Sequence, residues 1–197
     1  MQRDMTTSIG GSTDALAGSS AAVNGLLIAG ASALFALSAQ IAIPLPHSPV
    51  PITLQPLAIL LIGAALGPTR SAIAACLYLL EGLAGLPVFA LGHSGPAALI
   101  GPTAGYLYAY PAASWIAGWC ATSRVGSSRF RASLVMIAAI VTLYLGGWSW
   151  LAAAWGMGSR LAFFAGIAPF FLADLVKVAI AVLLLPAASR LKARLTL

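Results

Sequence analysis

Only four acidic side chains occur in this 197-residue chain, and one of them, Asp174, stands three positions before Lys177 inside an otherwise apolar run. Residues three apart are neighbours on one face of a helix. A carboxylate there accepts hydrogen bonds and an ammonium offers three donors. An ionisable group in hydrocarbon costs about 3 kcal/mol or more unless it faces a cavity or a partner. Two readings follow. The pair neutralises itself and holds a bundle interior together, or it lines a pocket in which Lys177 attracts an anionic group and Asp174 accepts N–H donors. Glu81, near the end of another apolar run, either snorkels to an interface or joins the same cavity. Gln40 and Gln55 flank a proline-rich stretch, where an amide both donates and accepts, toward a ligand or toward interfacial water.

Chemistry of other kinds is poorly supplied. The string Gly92-His93-Ser94-Gly95 matches the G-x-S-G of rhomboid-type intramembrane proteases. That reaction needs a histidine base on another membrane helix, and the other histidine, His47, lies among prolines. No G-x-x-x-x-G-K-[ST] occurs, so any ATP-driven step falls to other subunits. Cys76 and Cys120 lie in apolar segments and read as small core residues rather than a disulfide or metal framework. The expectation is a binding protein and not an enzyme, with no catalytic residue, cofactor or metal.

The elements that must hold these groups are membrane helices. Charged residues make up 7% of the chain against about a quarter in soluble domains. None occurs between Asp14 and Arg70, between Glu81 and Arg124, or between Arg131 and Arg160. The net charge of +6 comes from clusters beside apolar runs, which describes topology and excludes nucleic acid as the partner. With about 20 residues per crossing, clear spans are Asn24–Ile43, Ala104–Ala121, Ala132–Leu151 and Ala162–Leu185. The apolar stretch from Ile52 to Gly85 is split by Leu66-Gly67-Pro68-Thr69-Arg70 into two shorter spans, Ile52–Leu66 and Ser71–Ala84. The expected fold is therefore all-α, a polytopic membrane protein of six transmembrane helices. Six spans put Arg3, Arg70, Arg124, Arg129, Arg131, Arg190, Lys192 and Arg194 on one side and leave Arg160 opposite, which makes both termini cytoplasmic. The organisation is a flexible cytoplasmic tail over residues 1–23, a membrane substrate-binding domain over 24–188 and a basic cytoplasmic tail over 189–197.

That topology sends two stiff loops outside, Pro44 to Pro51 and Leu86 to Thr103. Four prolines in eight residues cannot be helix. Both loops hold apolar residues, Val88, Phe89 and Leu99 among them, that suit a lid over a cavity better than a solvated connection. In the first span, Gly25, Ala29 and Ala33 recur at four-residue spacing, which lets another helix approach closely. Tyr106, Tyr108, Tyr110, Trp115 and Trp119 fall on or near the fourth span, some as interfacial anchors.

Four segments taken together resemble the BioY family of biotin-binding S components of energy-coupling-factor (ECF) transporters. They are Pro49-Val50-Pro51-Ile52-Thr53-Leu54-Gln55, Gly85 to Ala90, Leu99 to Leu107, and Asp174-Leu175-Val176-Lys177. The likeness runs over residues 24 to 188, with Ala104 standing where the family's G-P-T-G-G-Y has its second glycine. It implies a multi-pass protein of the bacterial cell membrane with a biotin pocket near the outer face, under the first and third loops. Asp174 would bond the ureido ring or another polar group of biotin, and Lys177 would neutralise the valerate carboxylate. Gln55, Phe89 and Tyr106 would cap or line the pocket. The small-residue face of Gly25, Ala29 and Ala33 would pack on a transmembrane coupling subunit whose partner ATPases supply the energy. Alternatives are an S component for another small carboxylated vitamin, or a ligand-free assembly subunit.

Overall fold

The computed structural model describes the chain from Thr6 to Leu195, with side chains described at residues 21–122 and 125–187. Arg3, Arg124, Arg190, Lys192 and Arg194 thus fall outside the described side chains, and so do most of the two expected tails.

Helix α1 runs from Thr6 to Gln40, and its bilayer-length apolar part is Ala21–Gln40. The backbone helix therefore reaches well N-terminal of Asn24. The proline-rich loop that follows is a two-stranded antiparallel sheet, β1 (Ala42–Leu45) with β2 (Ser48–Thr53), in the register Ala42↔Thr53 and Ile43↔Ile52. The fold is mostly helical, as expected, and this hairpin is its one addition among the described residues. Prolines exclude helix but are compatible with the edges and irregularities of a hairpin, and the register shifts between Ile43 and Leu45, where Pro44 has no N–H to give.

Helix α2 (Gln55–Leu66) starts three residues after the expected Ile52, because Ile52 and Thr53 are committed to β2. Helix α3 (Pro68–Leu83) follows after one residue. The expected five-residue turn contracts to Gly67 at φ +82°, a left-handed value suited to glycine, while Pro68 takes the first helical position, where a missing N–H is harmless. A 3₁₀ turn at Ala90–Gly92 and the short helix α4 (Gly95–Ile100) occupy the next loop. Helix α5 (Ala104–Gly118), a turn to Ala121 and the small α6 (Ser123–Gly126) match the expected fourth span and the connection after it.

Helix α7 (Arg129–Ser149) passes into a π-helical turn at Trp150–Ala154. That turn re-aims two indoles: Trp150 Nε1 donates to the Gly101 carbonyl at 2.9 Å and Trp155 Nε1 to the Ile100 carbonyl at 3.2 Å. The expected single span Ala162–Leu185 is two helices, α8 (Ser159–Gly166) and α9 (Phe171–Leu195), bent by 49°. Pro169 lies in the break and cannot carry the backbone ladder through it. Helix α9 continues to Leu195 without interruption at residue 189.

Among the described residues, Ala21–Gln40 and Arg129–Ala154 are each long and apolar enough to cross a bilayer, and the bent α8–α9 pair makes a third. At about 1.5 Å per residue, the 12 residues of α2 give only about 18 Å of a core about 30 Å thick. The helices pack closely because small residues face one another. A Cβ on Gly105 of α5 would lie 2.3 Å from the Gly146 carbonyl oxygen of α7. The core gathers Phe35, Ile59, Leu60, Tyr78 and Met136, all fully buried. Outward faces are apolar instead, with Leu26, Leu34, Phe130, Leu172 and Leu183 exposed, as lipid contact requires.

Candidate ligand cavity

The break between α8 and α9 sets the position of the charged pair. Because α9 begins at Phe171, Asp174 lies in its first turn, where the unpaired N–H groups and the helix dipole favour an anion. Lys177 is one turn further on, and its Nζ donates to Asp174 Oδ1 at 2.7 Å. Both residues are buried, at 4% and 8% exposure. The second carboxylate oxygen accepts from the Tyr144 hydroxyl of α7 at 2.7 Å. Asp174 is therefore held from two directions. A carboxylate has about four acceptor sites and an ammonium three donors, so each keeps polar capacity beyond this mutual bond.

This pair forms one wall of a cavity of about 360 Å³, within the range of small-molecule sites. Gln55, Phe89, Tyr106, Asp174 and Lys177 all line it, so the five residues singled out in the sequence converge on one space. Gln55 opens α2 directly after the hairpin and is 3% exposed. Its Nε2 donates to the Tyr78 hydroxyl at 2.8 Å, and that hydroxyl donates to the Val88 carbonyl at 3.1 Å. A cavity-lining amide is thereby joined to the loop above it. Tyr106 projects from α5 with its hydroxyl donating to the Gly166 carbonyl at the end of α8. The remaining wall is largely apolar, with Pro49, Val50 and Pro51 of the first loop, Leu91 and Ala98 of the second, Leu107 and Leu143 of the helices, and Phe170 of the break before α9.

Both loops are fastened. Ser48 Oγ donates to the Ala165 carbonyl at 2.7 Å, tying the hairpin to α8. Gln40 does not face the cavity. Its exposed amide nitrogen lies 3.2 Å from the Phe89 carbonyl and 3.3 Å from that of Val88, which pins the other loop to α1. Glu81 takes its partner elsewhere as well, accepting from the buried Ser32 hydroxyl at 2.6 Å and so joining α3 to α1. Gly25, Ala29 and Ala33 are exposed on α1, with open space around Gly25. Tyr144 and Tyr78, which bond Asp174 and Gln55, are partners of cavity residues that sequence reasoning misses. The signal available for each is a phenol within an apolar run, which needs a partner when buried.

A helical membrane protein with a partly open, mostly apolar cavity carrying a fixed ion pair is suited to hold a small amphipathic molecule. The chain belongs to the BioY family, whose family model matches residues 11–194. It is 38% identical over 152 residues to a probable biotin transporter BioY of Pyrococcus horikoshii, covering 77% of this chain and 87% of that one. It is 35% identical over 161 residues to the biotin transporter BioY of Rhizobium etli, covering 78% and 86%. Its fold is similar to the crystal structure of the S-component for biotin from an ECF-type ABC transporter, with a TM-score of 0.75, 24% identity, and 82% and 88% of the two chains covered.

Proposed function

We propose that this chain captures biotin in the cell membrane as the S component of an ECF-type transporter. The observation that carries the proposal is the ion pair and its cavity. Biotin combines a ureido ring, which offers N–H donors and a carbonyl acceptor, with an apolar fused ring and a carboxylate. The cavity offers acceptors at Asp174, donors at Lys177, a glutamine and apolar walls, and the named relatives are biotin transporters. In this reading Asp174 accepts from the ureido ring, Lys177 neutralises the carboxylate, Gln55 and Tyr106 fix orientation, and Phe89 closes the apolar side.

The chain crosses the membrane in six segments, with both termini cytoplasmic and the hairpin and the loop 84–103 at the outer face. Helices α2 and α3 complete their crossings with the hairpin and loop residues that continue them. The exposed Gly25, Ala29 and Ala33 face of α1 receives a transmembrane coupling subunit, and separate ATPase subunits supply the energy.

The test is thermal unfolding of the detergent-purified chain with and without biotin. A ligand bound only to the folded state at about 100 times its Kd adds about 2.7 kcal/mol. Biotin is expected to raise the Tm of the parent and to leave Asp174→Asn and Lys177→Ala unmoved. A parent whose Tm ignores biotin would remove this function.

A further inference from the structure

Two aromatic walls of the cavity sit in glycine seats. The Phe89 ring, 2% exposed, lies against Gly82 of α3, where an added Cβ would be 2.0 Å from Cζ and 2.4 and 2.5 Å from the two Cε atoms. The Tyr106 ring lies against Gly147 of α7 in the same way, with a Cβ there 2.0 Å from Cζ and 2.2 and 2.3 Å from Cε2 and Cε1. Neither glycine lines the cavity itself, and both have negative φ values that other residues adopt readily. What each position requires is the absence of a side chain.

We propose that Gly82 and Gly147 are specificity-determining residues that fix the width of the cavity by letting Phe89 and Tyr106 recede into the helix surfaces. The inference rests on the biotin reading above and deepens it.

Restoring ordinary carbon contacts of about 3.5 Å from 2.0 Å would displace each ring by about 1.5 Å. Phe89 is blocked on one side by Tyr78, whose ring meets it edge-on at 5.4 Å. Tyr106 is tethered through its hydroxyl to the Gly166 carbonyl, and Gly166 is itself close, a Cβ there falling 2.6 Å from the Tyr106 oxygen. Both rings line the cavity, so the direction open to them leads inward. A space of about 360 Å³ is at the small end for a ligand site, so a ring moved into it removes room that the rigid fused rings of biotin need. Desthiobiotin has the same ureido ring and carboxylate but lacks the bridging sulfur, so its chain can bend around an intruding ring.

The experiment measures the Kd of biotin and of desthiobiotin for the purified chain and for Gly82→Ala, Gly147→Ala, Phe89→Leu and Gly82→Ala/Phe89→Leu. Each glycine variant is expected to weaken biotin at least tenfold and desthiobiotin by less. In a Phe89→Leu background, adding Gly82→Ala should cost biotin no further affinity beyond what Phe89→Leu alone costs, because leucine has no atoms at the Cε and Cζ positions. Unchanged biotin affinity in the two glycine variants, equal losses for the two ligands, or a further loss of biotin affinity when Gly82→Ala is added to Phe89→Leu each overturns the proposal. If Gly82→Ala fails to fold, the double variant must fold and bind as Phe89→Leu does, and its failure to do so counts against the seat. A parent that binds neither ligand removes the biotin reading instead. The seat is then judged by the structure of Gly82→Ala, where a Phe89 ring left in place refutes it and a ring moved into the cavity supports it.

Discussion

Tyr144 does for the carboxylate what Lys177 alone could not. A lysine three residues along the same helix neutralises Asp174 but leaves its second oxygen to whatever faces α9, and the phenol of α7 takes that role at 2.7 Å. Replacing Tyr144 by Phe removes a charge-assisted hydrogen bond worth about 2 kcal/mol. The expected result is a lower Tm in the ligand-free chain, with biotin affinity reduced because the carboxylate is free to rotate; unfolding curves with and without biotin measure both. The pair itself is legible from spacing, since two opposite charges in an apolar run must face each other or a polar cavity. Its depth is not. An uninterrupted helix from Ala162 would bury Asp174 in mid-helix, whereas Pro169 and the preceding turn place it at an N-terminus, where the backbone helps to hold the charge.

Elements are readable in proportion to how local their causes are. The spans of α5 and α7 follow from uninterrupted apolar length, and the structure places both within a few residues of the expected limits. The hairpin is harder. Its prolines rule out helix, but strand pairing depends on a partner across the turn, and Pro44 and Pro49 mask the alternation that would announce it. Convergence of Gln55, Phe89 and Tyr106 is tertiary, and in the sequence only the family likeness groups them. The hairpin's attachment is open to a direct test. Ser48→Ala removes the hydroxyl that reaches Ala165 and also accepts from Val50 N at 3.0 Å. A loss of about 1 kcal/mol is expected, together with faster release of bound biotin, read as the dissociation rate of labelled biotin in a chase. An unchanged rate would mean the hairpin is held by its apolar contacts with Leu151, Ala162 and Phe170 alone.

At the scale of the whole molecule, the distribution of basic residues points to a topology that apolar windows alone would miss, and the short helices show why. Helices α2 and α3 fall short of a bilayer's thickness, so the six-segment arrangement proposed above rests on charge placement. Single cysteines introduced into a chain lacking Cys76 and Cys120 can check it in intact cells. Ser94→Cys, in the loop before α4, should react with an impermeant maleimide from outside. Ser128→Cys, between α6 and α7, should react only after the membrane is opened. Reaction of both from the same side would dismiss the arrangement.

The indoles of Trp150 and Trp155 give the protein an optical property. Their N–H groups end on the carbonyls of Gly101 and Ile100, in the connection that precedes α5 and borders the cavity through Gly101. Indole emission responds to the strength of that hydrogen bond and to nearby water, so any movement of the connection when the cavity fills or empties is written into the natural fluorescence. Trp115 and Trp119, edge to face on each other at 5.5 Å on and just beyond the far end of α5, and Trp148, whose N–H ends on the Ser159 carbonyl at 3.0 Å, make their contacts elsewhere, so replacing these three by Phe leaves the reporting pair. Occupancy could then be followed in time by the light of Trp150 and Trp155, with no label added.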